Sequence, residues 1–518
     1  MKSGTHHFSP VRNIDSIIAA AIGFFILHIF TRHSGIGISP DSVEYISVAR
    51  NFRDGRGLTS FDQMPMVDFP CFYPLFLWLV MSVTHSDPLL FAPVLNGLLF
   101  AIYIYTCGSL MNGFAFPSKW YKRIMLSCFL LSPCLLEIYS MVWSETLFLL
   151  FFLLFMISVS HYFQTHSINR LLLMALIAGL ACITRYAGIS FLFTGGLVLL
   201  MDPRLSKLRK LAHLTIFTVI SFSFLAINLA RNFLVGGYLT GQRQRGVTPL
   251  HKNIYYYGTV LSEWMPVFKK NDSIALLTGI ACLALITAVF LLWIARRFPV
   301  HTHEGTAIVF TWVYSFFMVL SATYSRFQQL DSRLLSPLFV PLLWTLSFWM
   351  VPFLIKLNGW KKMLAIASCI LLLGGFQTKQ LMTDYETYDG VKDAGIPGYT
   401  EDPWPNSPMV NFIKKNPEIF LPGLARYSNA GDAVYFFTGL SCELLPQKVF
   451  PLEVRSFYAE ENLYLIWFND IVNPDLLSLP DILQHKKMDI IWQFPDGTVY
   501  LCRNNFGQNS IKLTGSNQ

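Results

Sequence analysis

Three acids and three arginines in this sequence have the types and the flanking residues expected of a reaction centre. They are Asp41, Glu44, Glu145, Arg185, Arg231 and Arg333. A carboxylate can act as a general base by taking the proton of an attacking hydroxyl group. A guanidinium binds phosphate oxygens through two parallel N–H bonds and keeps its charge at physiological pH. Together these side chains predict chemistry on a phosphate-linked substrate.

Each of these residues also has a purely structural interpretation. Asp41-Ser42-Val43-Glu44 fits a capping box, in which Asp41 caps a helix and Glu44 reaches back. Both interpretations of Asp41 are compatible, since a cap can also face a cavity. Glu145 starts an apolar run, where an acid complements a helix N-terminus. A single arginine at the end of a span often extends to lipid headgroups, but three on the side opposite the basic loops favour a functional group.

The composition indicates what kind of protein positions these residues. The 518-residue chain is 53% hydrophobic and 14% charged, whereas a soluble domain carries about 25% charged residues. Long uncharged runs predict a polytopic α-helical membrane protein of about eleven spans. The predicted spans are 14–31, 88–111, 122–141, 144–163, 168–183, 186–201, 211–233, 273–295, 304–323, 334–355 and 360–378. The run 69–83 contains Pro70 and Pro74 and predicts an interfacial or re-entrant helix.

Basic residues in the short loops predict the orientation in the membrane. They cluster at 119–123, 204–210, 296–297 and 356–362. With eleven spans and a cytoplasmic N-terminus, all four clusters lie on the cytoplasmic side, as the positive-inside rule requires. Loops 32–87 and 234–272 then lie outside, together with the acidic tail. The sequence thus predicts a transmembrane catalytic domain over 1–378 and an extracytoplasmic domain over 379–518.

The tail has the length and patterning of a small α/β domain. Residues 432–437 predict a buried strand, and 488–492 and 498–501 predict two strands joined by a tight turn at Pro495-Asp496-Gly497. A helix is predicted over 476–485.

Several motifs give the chain a resemblance to a known superfamily over roughly residues 10–350. These motifs are Pro40-Asp41-Ser42 in the first outer loop, the proline-rich Phe69-Pro70-Cys71-Phe72-Tyr73-Pro74, Ser144-Glu145-Thr146, Thr184-Arg185-Tyr186 and Asp331-Ser332-Arg333. On these residues the chain resembles the GT-C superfamily of polyprenyl-phosphate-sugar-dependent glycosyltransferases. The resemblance is to the branch of protein mannosyltransferases and aminoarabinose transferases. Many members have two consecutive acids where this chain has Asp41-Ser42, which leaves Glu44 or Glu145 as the second carboxylate.

The resemblance implies an inverting glycosyltransferase of a bacterial inner membrane. Its donor would be a sugar on a polyprenyl phosphate, and its acceptor would be a lipid, a polysaccharide or a protein outside the cytoplasm. Asp41 would be the general base, and the three arginines would stabilise the leaving lipid phosphate. The sequence assigns no metal ligand and no cofactor, but leaves a divalent cation open. Nucleic acid is not an expected partner, because the basic residues are scattered among apolar spans.

Two other functional classes remain as alternatives. A transporter or flippase of lipid-linked glycans predicts internal repeats and polar residues in the middle of the spans. A non-catalytic membrane scaffold predicts that the acidic tail binds partners and that Asp41 has no role in turnover.

Overall fold

The computed structural model describes residues 13–264, 272–296, 302–326 and 329–504. Its helices, in chain order, are α1 Ile14–Phe30, α2 Pro40–Arg53, α3 Phe72–Thr84, α4 Pro88–Met111, α5 Lys119–Leu130, α6 Pro133–Ser140, α7 Glu145–Thr165, α8 Ile168–Thr184, α9 Ile189–Leu200, α10 Lys207–Gly236, α11 Leu250–Trp264, α12 Asp272–Ala295, α13 His303–Tyr324, α14 Ser332–Ser347, α15 Met350–Lys356, α16 Gly359–Ala394, α17 Pro408–Lys415, α18 Gly431–Thr438, α19 Pro451–Ala459 and α20 Leu479–Leu483. The strands are β1 Ala425–Ser428, β2 Glu443–Leu444, β3 Asn462–Phe468, β4 Lys486–Phe494 and β5 Gly497–Asn504.

Helices occupy all the predicted spans, but fewer of them than predicted are long enough to cross a membrane. Within the described residues, seven segments are long and apolar enough, and a bent pair would make eight. They are Pro88–Met111, Glu145–Thr165, Lys207–Gly236, Ile274–Ala295, His303–Tyr324, Ser332–Lys356 and Gly359–Ala394. The predicted span 122–141 is the pair α5–α6, bent by 52° at Leu131-Ser132.

Three predicted spans form helices too short for this criterion, which explains the lower number. α1 and α8 have 17 residues each, and α9 has 12. A helix rises about 1.5 Å per residue, so 12 residues cover well under the hydrocarbon thickness. The run 69–83 contains α3, a helix of 13 residues that begins after Pro70. Position 297 of the third basic cluster lies outside the described residues.

The chain divides into two compact units whose limits differ from the predicted domains. The first comprises 1–37 and 66–396, and the second comprises 38–65 and 397–518. The predicted boundary at residue 379 lies inside α16, which continues without interruption to Ala394. Residues 38–65, expected to belong to an outer loop of the membrane domain, group instead with the C-terminal residues.

Aromatic side chains form the centre of the first unit, between α7, α9 and α13. Phe148, Phe155 and Phe310 all pack against Phe191, with ring centroids 5.2 to 5.4 Å apart. All four rings are fully buried. Such aromatic pairs add stability beyond their buried area, and here they fix the first turn of α7, where Glu145 lies.

A five-stranded sheet forms the second unit, in the order β2-β1-β3-β5-β4. β1 runs parallel to β2 and β3, whereas β5 is antiparallel to both β3 and β4. The two strands predicted at 488–492 and 498–501 are confirmed as the β4–β5 hairpin. The predicted helix at 476–485 is confirmed in its central part as α20.

The strand predicted at 432–437 is wrong, because these residues form α18. A short apolar run does not by itself distinguish a strand from a buried helix. Here local signals decide: Asp432 places an acid in the first turn, and Gly439 ends the helix in the left-handed conformation, with a φ of 75°.

Candidate functional site

Glu145 is the centre of a charged cluster in the first unit. It is the first residue of α7, and its side chain is completely buried. The hydroxyl of Ser144 donates to its Oε2 at 3.4 Å. Burying a carboxylate is unfavourable unless charged and hydrogen-bonding partners compensate. Two arginines supply that compensation.

Arg333 approaches Glu145 from the first turn of α14. Asp331 caps this helix by accepting a hydrogen bond of 2.8 Å from the Leu334 amide. The Arg333 Nε atom lies 2.6 Å from Oε1 of Glu145, and Nη2 lies 3.5 Å from Oε2. The guanidinium carbon lies 4.0 Å from the centre of the Trp143 ring. The carboxylate and the aromatic face thus define the plane of the guanidinium.

Arg185 approaches the same carboxylate from the end of α8. Its Nη1 lies 2.5 Å from Oε1 of Glu145 and donates to the Ser144 hydroxyl at 3.1 Å. The backbone of Arg185 is extended, and a short 3₁₀ turn follows. Gly188 ends this turn against the Ala181 backbone, where an added Cβ would lie 2.4 Å from the carbonyl oxygen. Only glycine permits this close return of the chain, which directs Arg185 toward Glu145.

Two guanidiniums contact the one carboxylate of Glu145. The Arg185 guanidinium has five N–H donors, and among its atoms Glu145 and Ser144 contact Nη1. Within the part of the chain that the structure describes, the buried Nε of Arg185 has no hydrogen-bond partner. The Arg185 and Arg333 side chains remain 15% and 14% exposed, whereas the Glu145 side chain is completely buried. Such an arrangement can bind an anion with guanidiniums that Glu145 already orients.

Arg231 lies in α10, and its described partners differ from those of Arg185 and Arg333. It donates to the Met66 carbonyl oxygen and, at 3.1 Å, to Oδ1 of Asn232. The amide of Asn232 donates in turn to the Tyr186 hydroxyl at 3.3 Å. Tyr186 directly follows Arg185, so Asn232 links the end of α10 to the residue beside the cluster. The structure brings together Glu145, Arg185 and Arg333 of the predicted site.

Asp41 and Glu44 belong to the second unit, and Asp41 is not the cap of its helix. Ser39 is the N-cap of α2, and it exchanges side-chain and backbone hydrogen bonds with Ser42. Asp41 follows Pro40 in the first turn, where its negative charge interacts favourably with the positive end of the helix dipole. Glu44 accepts a hydrogen bond from the Ser60 hydroxyl. A capping box is therefore present two residues earlier than predicted, with serine in both roles.

The sequence did not predict that Trp143 contacts Arg333 or that Ser144 contacts both Glu145 and Arg185. Their position next to Glu145 was the available signal, but only the fold brings Arg185 and Arg333 onto this dipeptide. Among the described residues, no group of three or more His, Cys, Asp or Glu is arranged to hold a metal ion. The divalent cation left open by the sequence stays a prediction.

Comparisons with known proteins identify the fold. No family model matches the sequence, and no curated protein matches it. The structure is similar to that of ArnT from Cupriavidus metallidurans, solved in the apo state and bound to undecaprenyl phosphate. Each comparison gives a TM-score of 0.54 at 12% identity and covers 94% of this chain and 97% of ArnT.

A second similar structure is AglB, an oligosaccharyltransferase from Archaeoglobus fulgidus, in complex with an inhibitory peptide and a dolichol-phosphate. The TM-score is 0.50 at 12% identity, over 88% of this chain and 69% of AglB. ArnT and AglB are both members of the GT-C superfamily. The chain therefore has the GT-C fold, which confirms the resemblance that the sequence motifs indicated.

Proposed function

We propose that the protein is a membrane glycosyltransferase that moves a sugar from a polyprenyl-phosphate donor to an acceptor outside the cytoplasm. The observation that carries this proposal is the pair of arginines on Glu145, in a chain with the fold of proteins that were solved with undecaprenyl phosphate and dolichol-phosphate. Their shared ligand chemistry is a phosphate on a long isoprenoid. Two guanidiniums at the ends of apolar helices suit this combination.

In the proposed reaction the acceptor hydroxyl oxygen attacks the anomeric carbon of the donor sugar. A new glycosidic bond forms as the bond between that carbon and the phosphate oxygen breaks, and the configuration at the carbon inverts. The hydroxyl proton goes to the Asp41 carboxylate. The polyprenyl phosphate leaves with the bonding electron pair.

Arg185 and Arg333 act on the leaving group, and Arg231 is the third proposed phosphate ligand. Negative charge on the phosphate grows as the sugar departs, so donors held in place before the reaction stabilise the transition state more than the ground state. Glu145 contributes by holding the two guanidiniums, and Glu44 supports the α2 segment through Ser60.

The test uses the purified full-length chain in detergent with a radiolabelled sugar on a polyprenyl phosphate. An enzyme releases free polyprenyl phosphate and labelled product, whereas a flippase leaves the donor intact, because translocation breaks no covalent bond. Candidate acceptors are lipid, polysaccharide and protein fractions of the cell envelope. A chain that binds donor but never releases polyprenyl phosphate with any fraction contradicts the proposal and favours the transporter or the scaffold.

Asp41→Asn separates chemistry from binding. We expect kcat to fall at least about a hundredfold with donor affinity retained, since removing a general base affects only the proton transfer. Asp54→Asn is the matched control, because Asp54 ends the same helix in exposed ion pairs with Arg53 and Arg56. Equal turnover of the Asp41 variant and the control would remove Asp41 as the base.

A further inference from the structure

Tyr399 and Asp432 form a buried pair that contacts the segment leading into Asp41. The Tyr399 hydroxyl donates to Oδ2 of Asp432 at 2.6 Å. Tyr399 is 7% exposed and Asp432 is 4% exposed. A buried hydrogen bond to a carboxylate is short and contributes more than a neutral one. Both residues come from the C-terminal part of the chain, which the proposed chemistry does not use.

The backbone of Tyr399 connects this pair to the start of α2. Its amide donates to the Ile38 carbonyl oxygen at 2.8 Å. Gly398, with a φ of 118°, allows this approach, because an added Cβ would lie 2.4 Å from the same oxygen. Ile38 immediately precedes Ser39, the N-cap of α2, and Asp41 lies in the first turn. One residue, Tyr399, therefore holds Ile38 by its backbone and Asp432 by its side chain.

Aromatic packing fixes the ring of Tyr399 from several sides. Trp404 meets it edge-on at 4.9 Å, and Phe436 and Phe437 of α18 lie 6.1 and 6.4 Å away. α18 also packs against α2, and the ring centroid of Tyr435 lies 6.1 Å from that of Phe61, in the loop that follows α2. Asp432 is close enough to Asp41 for their charges to interact.

We propose that Tyr399 and Asp432 are positioning residues for Asp41: Asp432 orients Tyr399, and Tyr399 anchors the Ile38 carbonyl and so the first turn of α2. This inference deepens the proposed function and rests on it for the role of Asp41. It gives two residues from the C-terminal part of the chain a role in turnover. Misplacing a reacting group by about 1 Å can reduce a rate about a hundredfold, so such an anchor affects turnover directly.

The decisive variant is Tyr399→Phe, which keeps the ring among its aromatic neighbours and removes only the hydroxyl. We expect kcat to fall about 10- to 100-fold while the KM for the donor changes less than about threefold. Asp432→Ala should likewise lower kcat while the KM for the donor changes little. Asp432→Asn should restore most of the turnover, because an amide oxygen still accepts the Tyr399 hydroxyl.

Tyr458→Phe is the matched control. Its hydroxyl also donates within the second unit, at 3.1 Å to the Asp481 carbonyl, but its described contacts do not involve α2. We expect this variant to keep the parent kcat and KM. A loss in Tyr458→Phe equal to that in Tyr399→Phe would assign both effects to general destabilisation and overturn the proposal.

Hydrogen exchange followed by mass spectrometry tests the anchor without any turnover. Tyr399→Phe should speed exchange in peptides covering 38–45 and 396–402, and Tyr458→Phe should not. Faster exchange in a chain that transfers no sugar would contradict the proposed function but support the anchor. Unchanged exchange together with unchanged kcat in Tyr399→Phe would overturn the inference, as would an Asp432→Asn variant no more active than Asp432→Ala.

Discussion

Glu145 and Arg333 are separated by 188 positions in the sequence, yet Oε1 of one lies 2.6 Å from Nε of the other. Arg185 Nη1 contacts the same oxygen at 2.5 Å. Because Glu145 is completely buried and both guanidiniums keep an exposed part, the acid is the fixed member of the cluster. It therefore determines where the positive charge points, which makes it the first residue to test.

Glu145→Gln should destabilise the chain and weaken donor binding together. Removing one partner of a buried ion pair typically costs about 3–5 kcal/mol, because the other charge is left uncompensated. We expect a loss near the lower value, since the arginines are partly exposed and can turn toward solvent. Denaturation of the purified chain measures the stability, and titration with polyprenyl phosphate measures the binding.

Asp389→Asn is the control for Glu145→Gln. Asp389 pairs with Lys392 at 2.6 Å, but both side chains are exposed, at 52% and 43%. Exposed pairs contribute little, so we expect no measurable change in stability. If Glu145→Gln behaves like this control, the buried cluster has no role in holding the fold.

Arg333→Lys should reduce kcat/KM although it keeps the charge. Lysine cannot span both oxygens of Glu145 and cannot stack as a flat group on Trp143, so the cation loses its orientation. We expect a fall of about 10- to 100-fold, measured with the labelled donor. Arg123→Lys is a matched control, since Arg123 also lies over a tryptophan, Trp120, but is 53% exposed. Equal effects in the two variants would contradict a special role for Arg333.

The sequence predicted the GT-C fold from motifs and apolar runs, and it predicted the residues of the charged cluster. It could do so because Glu145, Arg185 and Arg333 each lie at the end of an apolar helix, where charge is conspicuous. Their common contact could not be predicted, because it depends on how α7, α8 and α14 pack. Helix order alone leaves that packing open.

Other misses have local causes. The strand predicted at 432–437 is helix α18, because capping signals outweighed the apolar run. The boundary predicted at 379, where hydrophobicity ends, falls inside α16, which continues as a polar helix to Ala394, and the domain limits stay a prediction. The grouping of 38–65 with the C-terminal residues depends on contacts such as that between Ile38 and Tyr399, and no periodicity in the sequence reports such contacts.

Ser39→Ala should lower stability more than Asp41→Asn does, whereas Asp41→Asn should lower turnover more than Ser39→Ala does. Ser39 caps α2, and loss of such a cap costs about 1 kcal/mol. Asp41 lies in the first turn without capping the helix, where a carboxylate stabilises the helix dipole by about 0.3–1 kcal/mol, so Asp41→Asn should lower the free energy of unfolding by less than Ser39→Ala does. Denaturation curves and kcat of both variants provide the comparison. A destabilisation by Asp41→Asn as large as that by Ser39→Ala would restore the capping interpretation of Asp41.

The second unit should become less stable as the pH rises above the acidic range, because of Asp432. Burial raises the pKa of Asp432 above its ordinary value of 3.8, and Asp41 raises the pKa further, while hydrogen bonds from Tyr399 and two backbone amides lower it. Cys442 is a further titratable group that interacts with Asp432. An acid with a raised folded-state pKa binds its proton more tightly in the folded chain. The free energy of unfolding is therefore greatest below the ordinary pKa of Asp432. It declines as the pH rises to the folded-state pKa, and above that pH the buried carboxylate is ionised and its full destabilising effect is present.

Asp432→Asn should remove this dependence on pH. We expect the variant to match the parent near pH 4 and to exceed its stability near pH 7, because the amide cannot ionise. Denaturation at several pH values, followed by proteolytic protection of peptides from 425–468, measures the effect in the full chain. Asp470→Asn is the control, since Asp470 is exposed in the same unit. Parallel pH curves for the parent and Asp432→Asn would mean that the carboxylate of Asp432 titrates alike in the folded and unfolded chains.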